Sequence, residues 1–283
     1  WGSMACRIWL VGDDPRLAEL LECLLVPAGY ACERLGTAEA GGYLATGRLP
    51  VERVIVDACS RTGSLDLLTP FKEAGLPVTL LVEAEDLLAV ETGLHAGVSG
   101  FLVKPFDAKA LEAALALPSG GVDAPSGGCF PFRTLEDVTG LSQLVAGLCP
   151  EAEMVQIALS ELMLNAVEHG NLGLGFERKG RLMTTGAWRN EVERLLDAPE
   201  NLARFAYLRI ECRPREVRFL IRDQGDGFDP APYLNLNPAR SVEPHGRGIA
   251  IARMLAFPDL VFLDGGRCVE GVVRRRARLD MAA

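Results

Sequence analysis

Glu161 and Asn165 lie four residues apart in the run Ser160-Glu161-Leu162-Met163-Leu164-Asn165-Ala166-Val167-Glu168-His169-Gly170-Asn171. On a helix that spacing puts a carboxylate and a carboxamide on one face, one turn apart. The carboxylate can orient a nucleophile or take its proton, while the amide oxygen suits a hard cation such as Mg2+. Further along, the apolar run from Val217 to Ile221 reads as a strand, and Asp223-Gln224-Gly225-Asp226-Gly227-Phe228 follows it. A carboxylate at that strand end can accept a hydrogen bond from the amino group of an adenine. Gly225 and Gly227, lacking side chains, let backbone approach the ring. His245-Gly246-Arg247-Gly248 then leads into the periodic apolar run from Ile249 to Leu255. Gly246 and Gly248 therefore open a helix whose unpaired N–H groups form a cradle for phosphate oxygens. Taken singly, each motif also reads as a polar helix stripe or a tight turn.

In this order the three motifs resemble the asparagine box and the two glycine boxes of the GHKL (Bergerat-fold) ATPases. That superfamily joins gyrase, the heat-shock chaperones, histidine kinases and mismatch-repair proteins. Within it the motifs look closest to the anti-sigma-factor serine kinases. The resemblance implies ATP and Mg2+ as cofactors, Glu161 as catalytic base, Asn165 as metal ligand and Asp223 as adenine reader. It also implies that Gly225, Gly227, Gly246 and Gly248 hold ring and phosphates.

A second group of charges ends three earlier apolar runs. Ile8 to Val11 leads to Asp13 and Asp14, Val54 to Val56 leads to Asp57, and Gly100 to Val103 leads to Lys104. In a parallel α/β sheet the C-terminal ends of strands line up along one edge, where such folds bind ligands. Three carboxylates gathered there repel one another unless a divalent cation and a lysine compensate, which predicts Mg2+ at Asp13, Asp14 and Asp57 with Lys104 alongside. Residues 5–117 resemble a response-regulator receiver domain. By that resemblance Asp57 is the phosphoacceptor, Asp13 and Asp14 hold the metal, and Lys104 contacts the phosphoryl group. Two features depart from the pattern: Val82 stands where a serine or threonine hydroxyl is usual, and the segment from Ala58 to Ser64 lacks the usual Met-Pro and Asp-Gly elements. The structural alternative is a receiver-shaped docking or dimerisation module.

The expected fold class is α/β: a doubly wound parallel-sheet receiver at 5–117, a flexible linker at 118–130, and an α/β sandwich of the GHKL ATPase type at 131–279. The linker is read from Pro118-Ser119-Gly120-Gly121 and Pro125-Ser126-Gly127-Gly128, which combine helix breakers with small residues. Leu135 to Leu148 reads as a helix, and Pro150-Glu151 starts the one that carries Glu161. Trp188, Val192, Leu195 and Leu196 fall at helical spacing, predicting one short amphipathic helix between Asn171 and the strand near Tyr207.

The 283 residues suffice for two cores, and 49% hydrophobic with 24% charged residues is a globular composition. A net charge of -9 argues against a nucleic-acid partner. No apolar run reaches the roughly 18 residues of a membrane span, and no leader is recognised, so a cytoplasmic chain without a membrane partner is expected. The 8 cysteines form no Cys-x-x-Cys pair, so neither a metal nor a disulfide framework is implied. The histidines are His95, His169 and His245, and none stands on a helix ahead of the ATPase motifs as a histidine autokinase requires.

Two functions follow. The first is a two-component response regulator whose ATP-binding output acts as a serine/threonine protein kinase on a small antagonist protein (anti-anti-sigma type) in partner switching. An upstream histidine kinase feeds it, and a homodimer through either domain fits. The second is a non-catalytic, ATP-dependent binding module that sequesters a sigma factor or another regulator.

Overall fold

The apolar runs of the N-terminal part form five strands in the computed structural model, which describes residues 6–47, 49–58, 63–117, 127–234 and 246–275. These are β1 (Arg7–Val11), β2 (Ala31–Leu35), β3 (Arg53–Asp57), β4 (Val78–Glu83) and β5 (Gly100–Lys104). They pair in parallel in the order β2-β1-β3-β4-β5. Parallel strands are covered on both faces, which is why β3 and β4 read as nearly unbroken Val/Ile/Leu runs. The covering helices are α1 (Pro15–Leu25), α2 (Thr37–Thr46), α3 (Leu68–Glu73), α4 (Leu87–Ala96) and α5 (Ala108–Leu115). On one face Ile8, Leu10, Ile55, Leu81 and Leu102 pack with Leu21, Leu25 and Leu111. On the other, the Trp9 ring meets Tyr43 and Phe71. Because β1 lies between β2 and β3, the connections diverge there, and the C-terminal ends of β1 and β3 flank the point where such sheets open a crevice.

The C-terminal part forms a different sheet, in the order β6-β7-β8-β10-β9. Its strands are β6 (Gly127–Phe132), β7 (Ala206–Arg213), β8 (Glu216–Arg222), β9 (Val261–Leu263) and β10 (Cys268–Arg274). The β7/β8, β8/β10 and β10/β9 pairs are antiparallel. Alternation is clean here: Ala206, Leu208 and Ile210 of β7, and Val217, Phe219 and Ile221 of β8, are buried between more exposed neighbours. One-sided burial is what a sheet with helices on a single face requires. The long helices of this part are α6 (Leu135–Ala146) and α7 (Ala152–Asn165), then α8 (Phe176–Thr185), α9 (Trp188–Leu196) and α10 (Gly248–Leu255). α6 begins with a reciprocal cap in which Thr134 Oγ accepts from Asp137 N and the Asp137 carboxylate accepts from Thr134 N. α7 packs against both α6 and α10.

The chain divides into two compact units, Trp1–Phe130 and Pro131–Ala283. Residues 118–126 of the expected linker and 276–279 of the expected second domain lie outside the described residues, as do Cys59 to Thr62 and His245. Residues 127–130, counted with the linker, belong to β6. The region after Asn171 holds two helices where one was expected. α8 escaped notice because Gly180, which reads as a breaker, is a buried position of that helix. Among the described residues no helix is long and apolar enough to cross a membrane, and the seven described cysteines form no disulfide with one another.

Candidate functional site

In the N-terminal unit Asp57 ends β3 and faces Lys104, which ends β5 two strands away; Nζ donates to Asp57 Oδ1 at 2.6 Å. Lys104 also donates to Glu83 Oε1, at 3.0 Å, from the end of the intervening strand. Burial pushes the Asp57 carboxyl above the usual carboxylate range, and the bond to Lys104 offsets this only in part. For Lys104, burial pulls downward, but Asp57 and Glu83 together hold it above the usual lysine value. The cation is therefore committed to two internal carboxylates. Glu83 was not singled out in the sequence, where it is one more residue after an apolar strand. Val82 is fully buried.

Of the acids expected to hold Mg2+, Asp14 and Asp57 line one small pocket, and the charge of Asp14 adds to the rise of the Asp57 carboxyl. The Asp13 carboxylate turns to α2, accepting from Thr37 N at 3.2 Å and Thr37 Oγ1 at 3.0 Å. Asp14 is the N-cap of α1, its Oδ1 accepting from Arg16 N at 2.9 Å, ahead of Pro15 in the first turn. Among the described residues no three His, Cys, Asp or Glu side chains group as a metal site. Nearest to Asp57 along β1 comes Gly12, where a Cβ would stand 2.9 Å from Asp57 Cβ. The Gly12 backbone thus packs against Asp57, which also feels the charges of Lys104, Asp14 and Glu83. Both acids meet helix starts with unpaired N–H groups, Asp14 at its own helix α1 and Asp13 at α2, 24 residues on.

The C-terminal unit holds a cavity of about 460 Å³ into which the three sequence motifs converge. Glu161, Asn165, Asp223, Gly227, Gly246 and Gly248 all line it. Asn165 is the last residue of α7, which then widens into a π-helical turn over Ala166–Asn171. Such widened turns re-aim the residues that follow an α-helix. Here the turn brings Gly170 against Asp223, so closely that a Cβ at Gly170 would overlap the Asp223 carboxyl. A Cβ at Gly225 would in turn overlap Gly170 O. Asp223 Oδ1 accepts from Gly225 N at 2.8 Å, closing the glycine turn upon itself. Burial raises the Asp223 carboxyl, with Gly225 N, Arg267 and Arg222 pulling it back.

Several functional positions were missed. Asn171 is buried and accepts from Gln224 N at 2.8 Å through Oδ1, clamping the π-turn to the Asp223 loop. Glu168 is fully buried; its Oε1 accepts from Trp188 Nε1 at 2.9 Å, and its Oε2 meets Lys179 Nζ at 2.5 Å. Removing one partner of a buried pair of this kind costs about 3–5 kcal/mol. Pairings across 11 and 20 residues leave no local pattern to read. His169 sits in the same turn, Nδ1 bonded to Leu174 O, and His95 bonds Glu91 O in α4 at 2.7 Å.

Glu161 is half-buried at the cavity edge. Burial raises its carboxyl, Lys179 opposes the rise and Glu168 adds to it. A Cβ at Gly248 would overlap Glu161 Oε2, so the carboxylate stands against the first residue of α10. Two hard-oxygen donors, Glu161 and Asn165, share this wall. That is too few for an all-protein metal cage, but it fits a Mg2+ ion that takes its remaining ligands from phosphates and water.

A family model described as the histidine kinase-like ATPase domain matches residues 138–269. The DNA-binding response regulator MtrA of Mycolicibacterium smegmatis is 29% identical over 113 residues, covering 39% of this chain and 49% of that protein. The transcriptional regulatory protein DltR of Streptococcus agalactiae is 29% identical over 114 residues, covering 39% and 50%. The chain thus spans about half the length of the curated relatives it matches. A solved signal receiver domain of a signal transduction histidine kinase from Syntrophus aciditrophicus is 26% identical at a TM-score of 0.34, covering 38% of this chain and 86% of that one. The parallel sheet that ends in Asp57 and Lys104 thus lies in the part of the chain similar to response regulators, and the cavity lies in the part similar to the histidine kinase-like ATPase domain.

Proposed function

We propose that the C-terminal domain binds Mg-ATP and transfers phosphate to a serine or threonine of a small partner protein, under the control of the receiver. The observation that carries this reading is Glu161: a carboxylate of raised pKa at the edge of the nucleotide cavity, one helical turn from Asn165 and against the α10 N-terminus. Mg-ATP, when bound, supplies the transferable phosphoryl group. Asn165 would hold the metal through its amide oxygen, and Asp223 would accept from the adenine amino group. The free N–H groups at the start of α10 would hold phosphate oxygens. Glu161 would take the proton of the incoming hydroxyl, the task of a positioned general base in phosphoryl transfer.

In the receiver we propose Asp57 as the phosphoacceptor for an upstream histidine kinase, with Lys104 neutralising the added charge. Asp13 and Asp14 would hold Mg2+ through the lone pairs that their bonds to Thr37 and Arg16 leave over. The downstream partner is proposed to be an antagonist of a sigma factor, as in partner switching.

The test is transfer from γ-labelled ATP in host-cell extract, run with the full chain and its Glu161→Gln variant. One small labelled protein whose label depends on Glu161 is the expected outcome. Mg-ATP binding without any transfer would replace the kinase with the ATP-dependent binding module.

A further inference from the structure

The two ends of the cavity are chemically unlike. At one end Asp223, Gly170, Gly225 and Asn171 form a tight polar corner made largely of backbone. At the other, the first turns of α8 lie over the start of α10: Phe176 would overlap a Cβ at Gly246, Glu161 would overlap one at Gly248, and Lys179 lines the wall beside them. Glu161 and Gly170 are nine residues apart along α7 and its π-helical turn, about two helical turns or on the order of 10 Å. A base, a sugar and a chain of phosphates fill such a span, whereas a nucleoside does not.

Lys179 is the cation of that far end supplied by α8, and Arg247 lines the same wall. It is held from behind: the buried Glu168 meets it at 2.5 Å, and Trp188 Nε1 fixes the carboxylate from α9. The pair with Glu168 Oε2 engages one of the three N–H groups of the Lys179 ammonium. The ammonium therefore keeps N–H groups for another acceptor. It also lies close enough to Glu161 to oppose the rise of that carboxyl.

From this placement, and resting on the nucleotide reading above, we infer that Lys179 contacts the terminal phosphate of a bound nucleoside triphosphate and makes the site prefer ATP over ADP. The α8–α9 pair is then a phosphate-sensing wall. Its anchor is the Glu168–Trp188 hydrogen bond, and its reporting group is the lysine. The contact is charge-assisted and partly desolvated, so its loss should weaken ATP binding roughly ten- to a hundred-fold. ADP, which ends one phosphate short, should be affected by about twofold or less.

The test is calorimetric titration of the full chain with Mg-ATP and Mg-ADP. Two variants are compared with the wild type: Lys179→Arg, and the paired Lys179→Met with Glu168→Gln, which removes both charges together so that no buried carboxylate is stranded. The wild type should prefer ATP, Lys179→Arg should retain that preference, and the paired variant should lose it while still binding ADP. An unchanged ATP-to-ADP ratio in the paired variant overturns the inference, as does an equal loss for both nucleotides. If the paired variant fails to fold, Lys179→Gln decides: loss of the ATP preference with ADP binding kept supports the inference, and an unchanged ATP-to-ADP ratio overturns it. Absence of either nucleotide from the wild-type protein would overturn the nucleotide reading itself, and this inference with it.

Discussion

Asp57 finds its counter-charge within 2.6 Å at Lys104, on a sheet edge where Glu83 shares the same ammonium and glycine backbone closes the remaining side. Glu161, although its carboxyl is also raised chiefly by burial, stands beside a cavity of about 460 Å³ with a helix N-terminus and an amide facing it. One carboxylate is internally compensated; the other is surrounded by groups that still need a ligand. A buried charge with a partner is evidence of structure. A buried charge whose neighbours line a cavity points to a binding site.

The comparison breaks most sharply at Glu161. Glu161→Gln keeps size and hydrogen bonding but cannot take a proton, so transfer should fall about a hundred-fold or more while Mg-ATP affinity stays nearly unchanged. Normal transfer by that variant would remove Glu161 from the mechanism. Its raised pKa sets the pH dependence. The base works when ionised, so activity should be lost as pH falls through a value above the ordinary carboxylate range, and this acid limb should vanish in Glu161→Gln. A smaller loss is expected at Asp223→Asn, where a charge-assisted bond in a partly buried corner is worth about 1.5–3 kcal/mol, or roughly ten- to a hundred-fold in nucleotide affinity. Titration calorimetry showing unchanged affinity would remove Asp223 as the adenine reader.

The receiver side should answer more quietly. The Asp57 carboxyl has a folded-state pKa above its unfolded one, so its ionisation disfavours the folded state. That cost is absent at pH below the ordinary carboxylate value, grows as pH rises toward the raised one, and is constant beyond. Asp57→Asn should flatten this part of the pH dependence of the receiver's urea midpoint, because Lys104 retains Glu83. Parallel wild-type and variant curves would show that Asp57 is not the group responsible. Smallest of all should be Glu83→Gln. Its side chain is 63% exposed, and an exposed ion pair of this kind contributes on the order of 0–1 kcal/mol. A larger shift in the urea midpoint would mean that Glu83 is part of the Lys104 compensation in more than geometry.

What a helix or strand places locally could be read directly. The i, i+4 spacing of Glu161 and Asn165 puts both on the cavity wall, and the strand ends deliver Asp57 and Lys104 to one edge. The doubly wound sheet followed from continuous apolar runs, since parallel strands are buried on both faces. Less legible were the side chains with a choice of partners. Asp13 and Asp14 each have a helix N-terminus within reach, a second engagement that depends on where α1 and α2 begin.

The sequence by itself determined which residue types stand at the ends of which elements, because periodicity and glycine placement act over one turn or one strand. Only the tertiary structure decided what those residues meet. Gly170 against Asp223, Gly12 against Asp57, and Glu168 between Lys179 and Trp188 are contacts between segments distant in sequence. Their formation depends on the packing of whole elements, and no local spacing encodes it.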